Sequence, residues 1–334
     1  MTRIQTVQQT LIASIAALAI ASVLACTASQ HPTRRATLGE PGSSAAMEAA
    51  LTHPGPIRFE RVVAADWQVD RSGLINLDHP RAQAAGIESG PEPIGIYFYV
   101  LEHPQYGTFI VDSGVESGFR DEDGNPRVSA IVEAAMKTET LTIHKTTKEW
   151  LATRSEPISG VFLTHLHLDH VMGLPDVPGT TPVYVGPGET DAAGFLNLFT
   201  RGTIDGMLEQ VGPLDVWPFE ADASGRFTGM LDIFGDGSIW ALHVPGHTPG
   251  SVAFLVRSTD GPKLLVGDAC HTRWGWLNEV EPGTFTADHE RNAAQLALLR
   301  DLAQRHPEIE VHLGHQSLDE NAAGVDVAAT SAAR

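Results

Sequence analysis

Residues 164–170 read Thr-His-Leu-His-Leu-Asp-His, so His165, His167, Asp169 and His170 fall within six positions with leucine between them. Packing does not ask for such a pattern, because each buried polar group costs free energy unless it is paired. A metal centre does ask for it. Imidazole is the commonest protein ligand for metals, and carboxylate is a usual companion. In extended chain His165 and His167 point the same way, and a turn after Leu168 would aim Asp169 and His170 at a second point nearby. The stretch therefore reads as able to serve two metal ions.

The elements that must position these residues are legible around them. Residues 158–164 form a short apolar run rich in strand formers, and Gly173 and Pro175 break any regular element after it. The cluster is thus expected in a loop at the end of a buried strand. Three later strand-like runs each close on another metal-capable side chain: His247 within Pro-Gly-His-Thr-Pro-Gly, Asp268 after Leu-Leu-Val-Gly, and His315 after Val-His-Leu-Gly. A carboxylate at the end of a buried strand is costly unless a cation meets it, and a position shared by two metals would do so. Further strands are expected at 57–69, 94–101, 108–112, 238–244, 251–257, 263–267 and 309–313, and helices at 127–137 and 288–305. Strands dominate with helices between them, which suits sheets packed on each other and covered by helices.

The chain has 334 residues, 42% of them apolar, and a formal net charge of −19. Phosphate binding needs clustered Lys and Arg, so nucleic acid is not expected as a partner. Residues 11–25 are an uncharged apolar run after Arg3, short for a bilayer span and suited to a signal segment. The run ends in Val23-Leu24-Ala25-Cys26, which resembles the lipobox of bacterial lipoproteins. A lipidated Cys26, a plain cleaved signal and a retained anchor are all open, and each makes the chain exported, to the periplasm or to a membrane surface. Residues 1–26 are read as this signal, 27–55 as a flexible tether rich in Ser, Ala, Thr, Pro and Gly, 56–320 as the catalytic domain and 321–334 as a disordered tail. Cys270 is then the second of two cysteines, and a small buried residue rather than a ligand.

The ordered set His-x-His-x-Asp-His, then His247, Asp268 and His315, closely resembles the metallo-β-lactamase superfamily over roughly residues 56–318. The resemblance implies an α+β fold: an αββα sandwich of two mixed sheets flanked by helices, with the site at one edge. It implies that His165, His167 and His247 hold one metal, that Asp169, His170 and His315 hold another, and that Asp268 bridges them. Two zinc ions are the expected cofactor, with other divalent metals open. Asp112, in Val-Asp-Ser-Gly, matches a family position that orients a ligand histidine through its other ring nitrogen; a turn-forming Asx cap is the alternative. His167 stands where flavin-linked diiron relatives carry Glu, which argues against oxygen reduction.

Such a centre implies hydrolysis. Two metals can polarise a carbonyl and generate hydroxide near neutral pH, which attacks an acyl carbon while Asp169 passes a proton to the leaving group. Leu77-Asp78-His79, residues 94–101 and Val111-Asp112-Ser113-Gly114 are similar to the opening of the N-acyl-homoserine lactonase group. That similarity implies a quorum-quenching lactonase acting on a small molecule; a β-lactam, an organophosphate or another ester is the alternative. The chain departs from the group three residues after the bridging Asp, where His271 replaces the usual Tyr. Imidazole could donate the same hydrogen bond to a substrate carbonyl, or His271 could merely support the site. Trp274, Trp276, Phe195 and Phe199 are candidate walls for an acyl tail, with ordinary packing as the alternative.

Overall fold

The computed structural model describes residues 27–120, 125–194 and 197–318. The expected signal at 1–26, the tail at 321–334 and Phe195 lie outside the described residues.

Two mixed sheets form the frame. The first has eight strands, ordered Thr33–Arg35, Leu214–Val216, Val183–Val185, Gly160–Phe162, Gly107–Val111, Pro91–His103, Arg58–Asp70 and Thr142–Ile143. Its first five strands run parallel and the rest pair antiparallel. The second has six strands, ordered Glu310–His312, Gly261–Leu265, Val252–Ser258, Ile239–His243, Gly229–Asp232 and Glu40–Pro41. Only its Glu310–His312 and Gly261–Leu265 pair is parallel.

Period-two alternation decides which side chains meet. Phe162, Val111, Tyr99 and Leu101 of the first sheet face Phe254, Ala241 and Leu265 of the second, and Trp217 fills the same layer. The alternate residues Val161, Ile110 and Val100 point to the outer face of the first sheet. Ala253, Leu255, Leu242 and Leu264 point to the outer face of the second, under the helices Ser44–Ala50 and His289–Arg305. Three apolar layers thus separate helix, sheet, sheet and helix, an αββα sandwich. Phe162 is fully buried between stacked Phe109 and Phe254 rings, so Phe162→Ala should cost about 3–5 kcal/mol.

Two sequence expectations are corrected. Residues 27–55 are not a tether but part of both sheets. Thr33–Arg35 pairs parallel with Leu214–Val216, and Arg34 makes two hydrogen bonds to Asp215 at 2.7 and 2.8 Å. Glu40–Pro41 edges the second sheet, Ala36 reaches the layer between the sheets, and the helix Ser44–Ala50 buries Met47. The segment's composition is linker-like, yet backbone pairing and a few apolar anchors suffice to fix it. The helix expected over 127–137 is Ala130–Met136, because Ser129 caps it through the Val132 amide while the Arg127 amide donates to Glu116.

The strands Gly107–Val111, Gly160–Phe162, Ile239–His243, Gly261–Leu265 and Glu310–His312 run in a common direction within each sheet, and each is followed at its C-terminal end by a residue of the expected metal set or by Asp112.

Candidate metal centre

Local backbone explains the first cluster. After Gly160–Phe162 the chain bends at Thr164, is extended at His167 (φ −67°, ψ 153°), and then turns into the short helix Leu168–Val171. The loop carries His165 and His167, and the helical turn carries Asp169 and His170. Two groups of ligand-capable atoms result, each mutually within 4.8 Å: His165, His167, His247 and Asp268, and Asp169, His170, Asp268 and His315. All seven expected ligands are brought together, with Asp268 common to both groups.

Asp268 Oδ2 is the centre of the arrangement. It lies 3.5 Å from His165 Nε2, 3.3 Å from His170 Nε2, 3.4 Å from His247 Nε2 and 3.4 Å from His315 Nε2. His167 enters through Nδ1, 2.8 Å from His247 Nε2. Asp169 Oδ2 is 3.2 Å from His315 Nε2. The Asp169 carboxylate is 17% exposed while His315 and Asp268 are nearly sealed, so with half-buried His167 it forms the solvent-facing side of the site.

Four of the five rings are held from behind. Asp112 Oδ2 accepts from His170 Nδ1 at 2.9 Å, and both its oxygens accept from Thr164, whose hydroxyl oxygen also lies 3.1 Å from His165 Nδ1. The Gly95 carbonyl accepts from His315 Nδ1 at 3.0 Å, and Thr286 Oγ1 lies 3.3 Å from His247 Nδ1. Asp112 itself sits in left-handed backbone (φ 59°), which aims its side chain back at the His165–His170 loop. Such contacts fix tautomer and rotamer and leave Nε2 with a lone pair toward the centre.

The electrostatics ask for cations. Burial, then the neighbouring His170 and His167, push His165 well below the ordinary imidazole range, and burial holds His167 down at about 4. Burial likewise lowers His247, aided by His167. Burial opposes charge on His315 too, yet Asp268 and Asp169 raise it to about 10. Asp268 is held well below the usual carboxylate range against burial, by His271, His315 and His170. His165 Nε2, His170 Nε2 and Asp268 Oδ1 are buried with no protein hydrogen-bond partner, a state that is expensive unless something else meets them. Imidazole-rich donor sets with carboxylate suit zinc, so the residues present fit a pair of divalent cations.

Glu189 is the residue the sequence reading missed. It is 1% exposed, and Oε2 accepts from the Leu166 amide at 2.9 Å, between His165 and His167. Oε1 accepts from the Gly250 amide at 2.8 Å and from the Thr248 hydroxyl, on the two sides of Pro249 in the His247 loop. One buried carboxylate therefore ties together the two loops that carry the first group. In the sequence it follows Gly186-Pro187-Gly188 and reads as a solvated turn.

Other expected site residues are placed differently. Trp274 and Trp276 lie on the helix Arg273–Asn278, where two positions are about 200° apart. Trp276 packs in the outer core of the second sheet, with the Arg300 guanidinium 5.9 Å above its ring, and the hollow it lines is shared with Arg300, Ala303 and Ile309 rather than with the expected ligands. Trp274 packs on the other side, against the cluster that contains Leu74 and Leu166. Phe199 is 53% exposed on the helix Asn197–Leu208, which packs against Leu168–Val171. His271 is 1% exposed, with Nε2 2.9 Å from Asp268 Oδ2 and Nδ1 3.3 Å from the Leu74 carbonyl oxygen. Both ring nitrogens thus face acceptor oxygens, with Nε2 turned to the Asp268 carboxylate inside the ligand cluster.

Comparisons with known proteins agree with this geometry. Residues 92–315 match the family model described as metallo-beta-lactamase superfamily. The metallo-hydrolase mfmC of Annulohypoxylon moriforme is 31% identical over 66% of this chain and 54% of its own length. The N-acyl homoserine lactonase AttM of Agrobacterium fabrum is 32% identical over 46% of this chain and 57% of its own. The gamma-lactamase FDB1 of Fusarium pseudograminearum is 26% identical over 65% and 55%. The chain thus spans just over half the length of these relatives. Among solved structures, a quorum-quenching N-acyl homoserine lactone lactonase superposes with a TM-score of 0.58 at 17% identity, covering 82% of this chain and 98% of that one. With the family model spanning two thirds of the sequence and the sandwich and its histidine–aspartate edge in place, the chain belongs to the metallo-β-lactamase superfamily.

Proposed function

We propose that the protein is a dinuclear zinc hydrolase that opens a lactone or related ester, of the N-acyl-homoserine-lactone kind. The observation that carries this reading is the pair of ligand groups sharing Asp268. Similarity to a protein named as an N-acyl homoserine lactonase supports the substrate class.

When bound, a zinc pair polarises an ester carbonyl and supplies hydroxide near neutral pH, because the pKa of its water falls to about 7. The chain's own residues do the rest. Asp112, Thr164, Thr286 and the Gly95 carbonyl fix the ring orientations, so no reorganisation is needed during reaction. Asp169, at the solvent edge beside His315, is the group placed to carry a proton to the departing alkoxide. Exposed Leu198 and Phe199, with Trp274, offer apolar surface for an acyl tail. The apolar run at 11–25 ending in Cys26 supports export, with lipidation placing the enzyme at a membrane surface.

A side-by-side assay tests the reading. The purified chain is offered N-acyl-homoserine lactones of several chain lengths, a γ-lactam, a chromogenic cephalosporin and an organophosphate triester. Lactone turnover should exceed the others in kcat/KM; turnover of another substrate without lactone turnover would overturn the substrate class.

A further inference from the structure

We propose that the outer face of the helix Asn197–Leu208 rests on a lipid bilayer, with Leu198 and Phe199 in its acyl layer, which holds the metal edge at the membrane surface; the inference rests on the lipidated-Cys26 reading above. The chain is docked from the first residue after Cys26. Thr27 forms a β-bridge with Ala193, the Ser29 amide donates to the Thr190 carbonyl at 3.2 Å, and Thr27, Ala28 and Ser29 are all buried. The Ser29 hydroxyl and the Gln30 amide both donate to Asp205 Oδ1, on the helix itself. Consecutive Cα atoms are about 3.8 Å apart. A lipid on Cys26 therefore has no tether, and enters the membrane within one residue of this docked segment.

The helix presents a surface that suits lipid. At about 100° per residue, buried Thr203, Ile204, Met207 and Leu208 form one face, and Leu198, Phe199 and Gly202 fall on the opposite one. Leu198 is 48% and Phe199 53% exposed, and the space beside Gly202 is open. Asp205, on the flank of that face, is taken up by Ser29 and Gln30. Two exposed apolar side chains are ordinary on a protein surface. Beside a lipidated terminus they are not, because the anchor keeps them at the bilayer at high effective concentration, and firm attachment takes a second contact beside an acyl chain. With a net charge of −19 the chain gains nothing from anionic headgroups, so that second contact must be apolar. The same helix packs on Leu168–Val171, which carries Asp169 and His170. An acylated substrate dissolved in the bilayer thus meets the site from the lipid side.

The test is the depth of a fluorophore on the full chain, produced in a bacterial host that processes lipoproteins and placed in phosphatidylcholine–phosphatidylglycerol vesicles. Leu198→Cys and Gln105→Cys each receive one environment-sensitive label. Gln105 is exposed in the turn before Gly107–Val111, at the opposite end of that strand from Asp112. A lipidated Cys26 has no free thiol and Cys270 is buried, so the label goes to the substituted position. Emission from position 198 should shift to the blue in vesicles and be quenched by lipids carrying a nitroxide on the acyl chain, and emission from position 105 should do neither. Position 198 behaving like position 105, in chains whose mass shows lipid on Cys26, would overturn the bilayer contact alone. Chains whose mass shows no lipid on Cys26 would overturn the anchor reading and this inference with it.

Discussion

Asp112→Asn isolates how much the metal centre owes to the residues behind its ligands. Asp112 is 4% exposed; Oδ1 accepts from the Thr164 amide at 2.8 Å and Oδ2 from His170 Nδ1 at 2.9 Å. The substitution keeps size, and Asn tolerates the left-handed backbone found there (φ 59°). Its amide has one oxygen for two donors. With that oxygen on Thr164, the NH2 faces the His170 Nδ1 proton, and the ring must move its proton to Nε2, where the lone pair toward Asp268 is needed. The loss is one hydrogen bond to a charged acceptor, about 1.5–3 kcal/mol. Expressed in metal affinity, at about 1.4 kcal/mol per factor of ten, that is roughly 10- to 100-fold, the range expected for such partners. Apo stability should move little, because removing a buried carboxylate offsets part of the loss. The assay is zinc affinity by chelator competition, with thermal unfolding of the apo protein alongside. Zinc affinity within about twofold of wild type, in a folded Asn variant, would refute the reasoning.

Three other perturbations follow from the geometry. Glu189→Gln should weaken metal at the His165, His167 and His247 group by about 10-fold or more, while the other group still binds, because an amide NH2 cannot accept from both loops; equal loss at both groups in a titration would contradict it. Gly314→Ala puts a methyl group 2.2 Å from Asp268 Oδ1, which must shift the shared carboxylate; lactone turnover should fall by more than about 10-fold with little change in melting temperature. Burial pushes the Cys270 thiol up to about 12, so in a Cys26→Ser background an aromatic disulfide reagent at pH 8 should label it only after denaturant unfolds the chain; rapid native labelling would show the thiol is accessible.

Much of this centre was legible before the fold was known, because its residues violate packing. Histidines and aspartates at the ends of apolar strands have no structural excuse, so His165 to His170, His247, Asp268 and His315 announced themselves. The alternation of Val161 and Phe162, or Leu264 and Leu265, announced two-sided sheets in the same way. What stayed hidden had no side-chain signature. The Gly95 and Leu74 carbonyls that orient His315 and His271 are backbone atoms, available at any residue. Glu189 looks like a turn residue until the fold buries it between two loops. Residues 27–55 look like a linker because strand pairing at 33–35 depends on what Leu214–Val216 offers, not on the segment's own composition. Trp274 and Trp276 could be separated only once the helix phase was known.

The central claim is that activity belongs to a pair of metals held around Asp268. Its most direct measurement is the rate of N-acyl-homoserine lactone hydrolysis by the chelator-stripped chain as zinc is added back in measured equivalents. The account predicts no turnover in the stripped protein and a rate that rises until two equivalents per chain are bound, then levels. Full turnover without metal, or a rate that saturates with one equivalent bound and stays there, would contradict it.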